Sequence, residues 1–104
     1  MNDIWRYAVS RDGDVGMVVL SGELDISARD ALLEVVTAEV DRPGVREVRL
    51  DLAAVTFLDS TIMSVLVNAY LKAQDLGRGF TIMGQRGIVQ RSLETAGLAQ
   101  LLTP

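Results

Sequence analysis

The chain of 104 residues contains neither histidine nor cysteine. Without cysteine there is no disulfide framework, no thiolate nucleophile and no zinc site of the usual thiolate kind. Without histidine, no side chain has an unperturbed pKa suited to taking a proton near neutrality, which removes the Ser-His-Asp and Cys-His arrangements together. Cations are scarce as well: one lysine, Lys72, and nine arginines scattered along the chain face 14 acidic residues, for a net charge of -4. A phosphate backbone rewards a clustered basic face, so no direct nucleic-acid partner is expected. No apolar run reaches about 18 residues free of charge or strong polarity. The opening MNDIWRYAVS has neither a basic start nor an apolar stretch of signal-peptide length. The expectation is a cytoplasmic protein with no membrane portion.

What the chain does have is enough apolar material for a core. Apolar residues make up 49% and the mean hydropathy is +0.27, which argues against disorder. One domain spanning residues 1–104 is expected, with no room for a second. Residues 4–11 and 15–21 are β-prone and separated by Asp12, Gly13 and Asp14, which is hairpin chemistry. Ser27 and Asp30 make an S-x-x-D capping pattern. Leu32, Val35, Val36 and Val40 then recur at helical spacing, with Asp30, Glu34, Thr37 and Asp41 on the opposite face. Pro43 and Gly44 stop this helix.

Val48, Leu50 and Leu52 alternate with Arg49 and Asp51, as in a strand with one buried face. Over residues 60–76 the period changes: Ile62, Leu66, Ala69, Ala73 and Leu76 form an apolar line, and Thr61, Ser64, Asn68, Lys72 and Asp75 a polar one. Residues 80–83 read as a short strand, 84–87 as a loop, 88–96 as a third helix with Gly97 as its cap, and 98–102 as a last edge strand. Strands alternating with helices give an α/β domain: a mixed sheet of four to five strands, an N-terminal antiparallel hairpin and three main helices.

The chemistry concentrates in VTFLDSTIM, residues 55–63, where an acid and two hydroxyls stand between a strand and a helix. Asp59 or Ser60 can accept from the unpaired N–H groups of the helix start as an N-cap. The same place lies just past a strand's C-terminal end, where open α/β sheets hold their ligands. A phosphate on Ser60 is tolerated at a helix N-terminus, yet adds about -1.5 to -2 charge beside Asp59. Ser64 and Asn68 continue from Ser60 along the polar line, with Met63 beside them as an apolar anchor, and form the candidate partner-facing stripe. Lys72 and Asp75, at its far end, read as a solvated face.

GELDI at residues 22–26, DLAAVTFLDST at 51–61 and AGL at 96–98 resemble, in order and spacing, the landmarks of STAS domains, specifically the stand-alone bacterial anti-sigma factor antagonists. The resemblance covers nearly the whole chain, and the 51–61 segment is its most specific part. It implies a protein without enzymatic activity or cofactor. Its partner is an anti-sigma factor that is also an ATP-binding, histidine-kinase-like serine kinase, and that kinase phosphorylates Ser60. A serine phosphatase reverses the mark. The unphosphorylated antagonist holds the anti-sigma factor and so frees the sigma factor. The resemblance further implies Asp25 as a contact for a kinase arginine and places Asp59 beside the acceptor, with Thr61 a second candidate acceptor. The chain departs from the family in having Ile62 and Ser64 where glycines are usual. It is also expected to lack the terminal helix that many members carry.

Three other readings compete. A STAS scaffold would hold a stress-signalling assembly together without switching sigma directly. An Mg-dependent phosphoryl-transfer enzyme would use Asp51 and Asp59 as a pair flanking a strand end. A ligand loop at residues 84–87 rests on two glycines alone.

Overall fold

The computed structural model describes residues 4–103; Met1 to Asp3 and Pro104, the ends of the expected domain, lie outside the described residues. Gly13 and Asp14 alone join β1 (Trp5–Asp12) to β2 (Val15–Leu24) in an antiparallel hairpin, with Gly13 at φ 61°. β2 pairs in parallel with β3 (Glu47–Leu58), and β3 in parallel with β4 (Gly79–Met83), giving the sheet order β1-β2-β3-β4. Parallel neighbours need a crossover that returns the chain to the same end of the sheet. Here α1 (Arg29–Asp41) and α2 (Ser60–Asp75) supply the two crossovers and pack against each other.

The core lies between these helices and one face of the sheet. Val18 and Leu20 of β2, Val48, Leu50 and Leu52 of β3, and Phe80 and Ile82 of β4 are buried beneath Leu32, Val36 and Val40 of α1 and Ile62, Val65, Leu66, Ala69 and Ala73 of α2. Two periodicities meet there, two along the strands and 3.6 along the helices. Val19, between the buried Val18 and Leu20, is exposed, so the other face of the sheet is open at this point. Val35 is only half-buried, and Leu76, expected on the apolar line, is exposed because it caps the C-terminus of α2.

β3 runs further than the alternation of Val48, Leu50 and Leu52 announces. Its pairing with β2 slips between Val19 and Ser21 and again between Gly22 and Glu23, and each slip gives β3 one residue more than β2. A bulge of this kind bends and rotates a strand. Beyond Leu52 the buried positions of β3 are accordingly Val55 and Leu58, three apart instead of two.

Residues 98–102 form a helix, α4 (Leu98–Leu102), and not the expected edge strand. It follows α3 (Gly87–Thr95) through Gly97 at φ 77°, a left-handed conformation that glycine adopts without a Cβ penalty. Leu102 is fully buried while Leu101 is exposed. Five residues rich in apolar side chains are too short for periodicity to separate helix from strand. The sheet therefore has four strands among the described residues.

The S-x-x-D pattern is also replaced. Ser27 and Asp30 do not cap α1; a single 3-10 turn, Ile26–Ala28, precedes it, Asp25 caps that turn, and Asp30 pairs with Arg29 at 2.8 Å. The edge strand β1 is tied to α1 through Glu39, the one buried charged residue among the described residues. Its carboxylate accepts from Arg11 at 3.2 Å and from Arg42 at 3.1 Å. Burial pushes the Glu39 carboxyl up, but the two guanidinium hydrogen bonds outweigh it and hold it below its ordinary value. Gly16 leaves the space this requires, since a Cβ there would collide with the carboxylate.

Candidate functional site

The two central parallel strands end together, with Leu24 of β2 paired to Leu58 of β3, so Asp25 and Asp59 emerge side by side at one end of the sheet. This is the end at which α/β sheets expose their connecting loops. Asp59 has extended backbone angles, φ -108° and ψ -178°, and caps α2: its Oδ1 accepts the N–H of Ile62 at 3.1 Å, and its carbonyl accepts the N–H of Met63 at 3.1 Å. With the acid serving as the cap, Ser60 opens α2 as an exposed residue. Among the described residues its Oγ makes no hydrogen bond.

The neighbouring residues divide their roles by helical phase. Ile62, which stands where the family has glycine, is fully buried and turns into the core, so it adds no bulk beside the Ser60 hydroxyl. Thr61 is half-buried. Ser64 is exposed, but its hydroxyl donates back to the Ser60 carbonyl at 3.2 Å, one turn earlier in the same helix. Met63 is partly buried against the core and, with Ser60, Ser64, Val67, Ala96 and Leu98, borders a groove of about 350 Å³ between α2 and the C-terminal helices. Asn68 closes the far end of that groove and also faces a second groove toward α1. Beyond it, Lys72 reaches across to Asp41 of α1 at 2.7 Å, so this end of the polar line ties two helices together as well as meeting solvent.

Asp25 is occupied within its own turn. Its Oδ1 accepts both the N–H of Ser27 at 2.9 Å and the Ser27 hydroxyl at 2.5 Å. The hydroxyl bond, reinforced by the amide, holds the Asp25 carboxyl below the usual carboxylate range. The residue this turn presents to solvent is Ile26, 69% exposed, which the sequence reading did not single out. Ile88 of α3, 60% exposed, was missed in the same way. Both were discoverable by phase: Ile88 lies off the line of Val89 and Leu93, and Ile26 off that of Ala28 and Leu32, all four buried.

Asp51 and Asp59 do not form a pair. Asp51 lies inside β3, paired to Met83 at the end of β4, and its Oδ1 accepts the N–H of Ala53 at 2.9 Å. Eight residues along a strand, at about 3.3 Å each, separate it from Asp59 by more than about 20 Å, far beyond the roughly 2 Å reach of Mg2+ ligands. Among the described residues no three His, Cys, Asp or Glu side chains converge as a metal would need. No helix among them is long and apolar enough to cross a membrane. Of the expected 84–87 loop, Arg86 precedes α3 without capping it through its side chain, and Gly87 is already the first residue of the helix.

Residues 7–103 match the family profile described as Mlab, STAS domain. Among solved structures, the chain superposes on the anti-sigma factor antagonist SpoIIAA in its unphosphorylated form with a TM-score of 0.81 at 14% identity, covering 91% of this chain and 84% of that one. The Bacillus cell fate determinant SpoIIAA in the phosphorylated form gives 0.75 at 12% identity, over 95% and 89%. An anti-sigma factor antagonist from Mycobacterium paratuberculosis gives 0.80 at 26% identity, over 94% and 82%. The fold is thus shared with anti-sigma factor antagonists, and the profile match spans nearly the full length: the chain belongs to the STAS domain family.

Proposed function

We propose that this STAS domain is an anti-sigma factor antagonist, which binds an anti-sigma factor through the face around Ser60 and releases it when Ser60 is phosphorylated. One observation carries the reading: the Ser60 hydroxyl is exposed at the head of a helix already capped by its neighbour, and among the described residues no hydrogen bond engages it. The existence of SpoIIAA in an unphosphorylated and a phosphorylated form supports the same switch in a domain of the same fold.

The chemistry is a single group transfer. The partner kinase passes the γ-phosphoryl of its ATP to Ser60 Oγ; the hydroxyl proton leaves to a base on the kinase, and ADP departs. The fold accepts the product, since the first N–H groups of α2 and its dipole favour an anion there. The interface does not. Taking a nanomolar complex to a micromolar one requires about 4 kcal/mol. A dianion forced between desolvated surfaces supplies a penalty of that order without any change of shape. A serine phosphatase, returning the hydroxyl by hydrolysis, resets the antagonist. Thr61, half-buried, is the lesser acceptor.

The test is recovery of partners from the native cell extract with wild type, Ser60→Ala and Ser60→Asp as bait. Wild type and Ser60→Ala are expected to retain an ATP-binding serine kinase and Ser60→Asp to lose it. A scaffold would keep the same partners in all three, and that result overturns the switch.

A further inference from the structure

We infer that α3 forms the second half of the docking surface, with Ile88 as its apolar anchor and Arg91 as its cationic rim; this rests on the reading of Ser60 as the centre of a protein interface. A stable protein interface engages roughly 20–30 residues a side. The exposed side of the first two turns of α2 supplies only Ser60, Thr61, Met63, Ser64, Val67 and Asn68. The contact must spread to a neighbouring element.

Beyond the adjoining turn of Asp25 and Ile26, two helical directions are open. Toward α1, through Asn68, the groove is bordered by Asp30, Glu34 and Asp41. Asp30 is already paired to Arg29 and Asp41 to Lys72. Toward α3, the Ser60 groove adjoins a second depression of about 460 Å³ formed with Ile88, Arg91, Ser92 and Thr95, and Met63 and Ala96 border both. Its wall carries Ile88, 60% exposed, on the first turn of α3. Arg91 one turn later is exposed and makes no ion pair among the described residues. An exposed branched apolar side chain beside an unpaired guanidinium is the composition of an interface anchor and its rim, and arginine is over-represented among residues that dominate binding.

The occupant is the same protein that covers Ser60, and its chemistry follows from this surface. It presents an apolar depression that receives Ile88, bordered by at least one carboxylate facing Arg91. A carboxylate there is attracted by the guanidinium, and the pair contributes to specificity and association rate more than to affinity.

Dissociation constants of the purified complex with the serine kinase recovered by the wild-type bait, measured at low and at moderate salt for wild type, Ile88→Ser, Arg91→Ala and Ser60→Asp, test this. Ile88→Ser is expected to weaken binding about tenfold or more. Arg91→Ala is expected to weaken it less and to flatten its dependence on salt. Both variants should melt at the wild-type temperature, since both side chains are exposed. If Ile88→Ser and Arg91→Ala bind as wild type does while Ser60→Asp does not bind, the role of α3 falls and the switch stands. If the two α3 variants bind weakly while Ser60→Asp binds normally, α3 docks the partner and the switch falls. Wild-type binding by all three overturns both.

Discussion

Two strand-to-helix turns stand side by side at the same end of the sheet, one after Leu24 and one after Leu58, and they begin alike. Each opens with an aspartate in extended conformation, Asp25 at φ -102° and ψ -171° and Asp59 at φ -108° and ψ -178°. Each carries a serine within two residues. In the first, the aspartate accepts from residue i+2, taking both the amide and the hydroxyl of Ser27. In the second it accepts from residue i+3, the amide of Ile62, and Ser60 is passed over. A shift of one residue in the cap therefore decides whether a serine is consumed by its own turn or left facing solvent. The closed turn displays an apolar side chain, Ile26, and the open one a hydroxyl.

The strongest break of this comparison is chemical. Radiolabelled ATP and the partner kinase should label wild type and Ser27→Ala equally and leave Ser60→Ala unlabelled. In direct titrations Ser60→Asp should weaken the complex by about a thousandfold, about 4 kcal/mol. Next in size is the contrast between two isoleucines. Ile62→Ala, removing a fully buried side chain from the open turn, should cost about 3 kcal/mol in urea unfolding. Ile26→Ala, in the closed turn, should change stability by less than about 0.5 kcal/mol.

Loss of the cap comes third. Asp59→Ala should cost about 1 kcal/mol because it uncaps a helix of 16 residues. Asp25→Ala should cost less in the same unfolding experiment, since its turn has three residues. The smallest effect is a titration. The folded-state pKa of Asp25 lies below the unfolded one, so its stabilisation is present above the unfolded carboxylate pKa and fades as pH falls through the folded value. Ser27→Ala should return the Asp25 carboxyl toward its ordinary pKa in an NMR titration and flatten that part of the acid-unfolding curve. Glu39 carries the same sign, and Glu39→Gln should flatten it further.

Much of this arrangement was legible in the residues. The hairpin, the two crossover helices, the buried line through Ile62, Leu66, Ala69 and Ala73, and the acid-serine step at the head of α2 all follow from local periodicity and turn chemistry. What escaped reading depends on neighbours distant in sequence. The double slip of β3 exists only relative to β2. The helical state of residues 98–102 depends on the seat found by Leu102 in the core. The expected S-x-x-D box of Ser27 and Asp30 did not form, because the Asp25 carboxylate two residues earlier takes both the amide and the hydroxyl of Ser27. The fate of Ile62 was open in the sequence, and burial settled it.

The two extra residues of β3 also fix a direction. Each slip absorbs one residue of β3 without losing the pairing beyond it, so Leu58 still meets Leu24 and both stay buried on the helix side. The bearing of the Ser60 hydroxyl is thus set by the seat of Leu58, two residues upstream of it. A substitution that unseated Leu58 would keep every group that the partner reads and point them the wrong way.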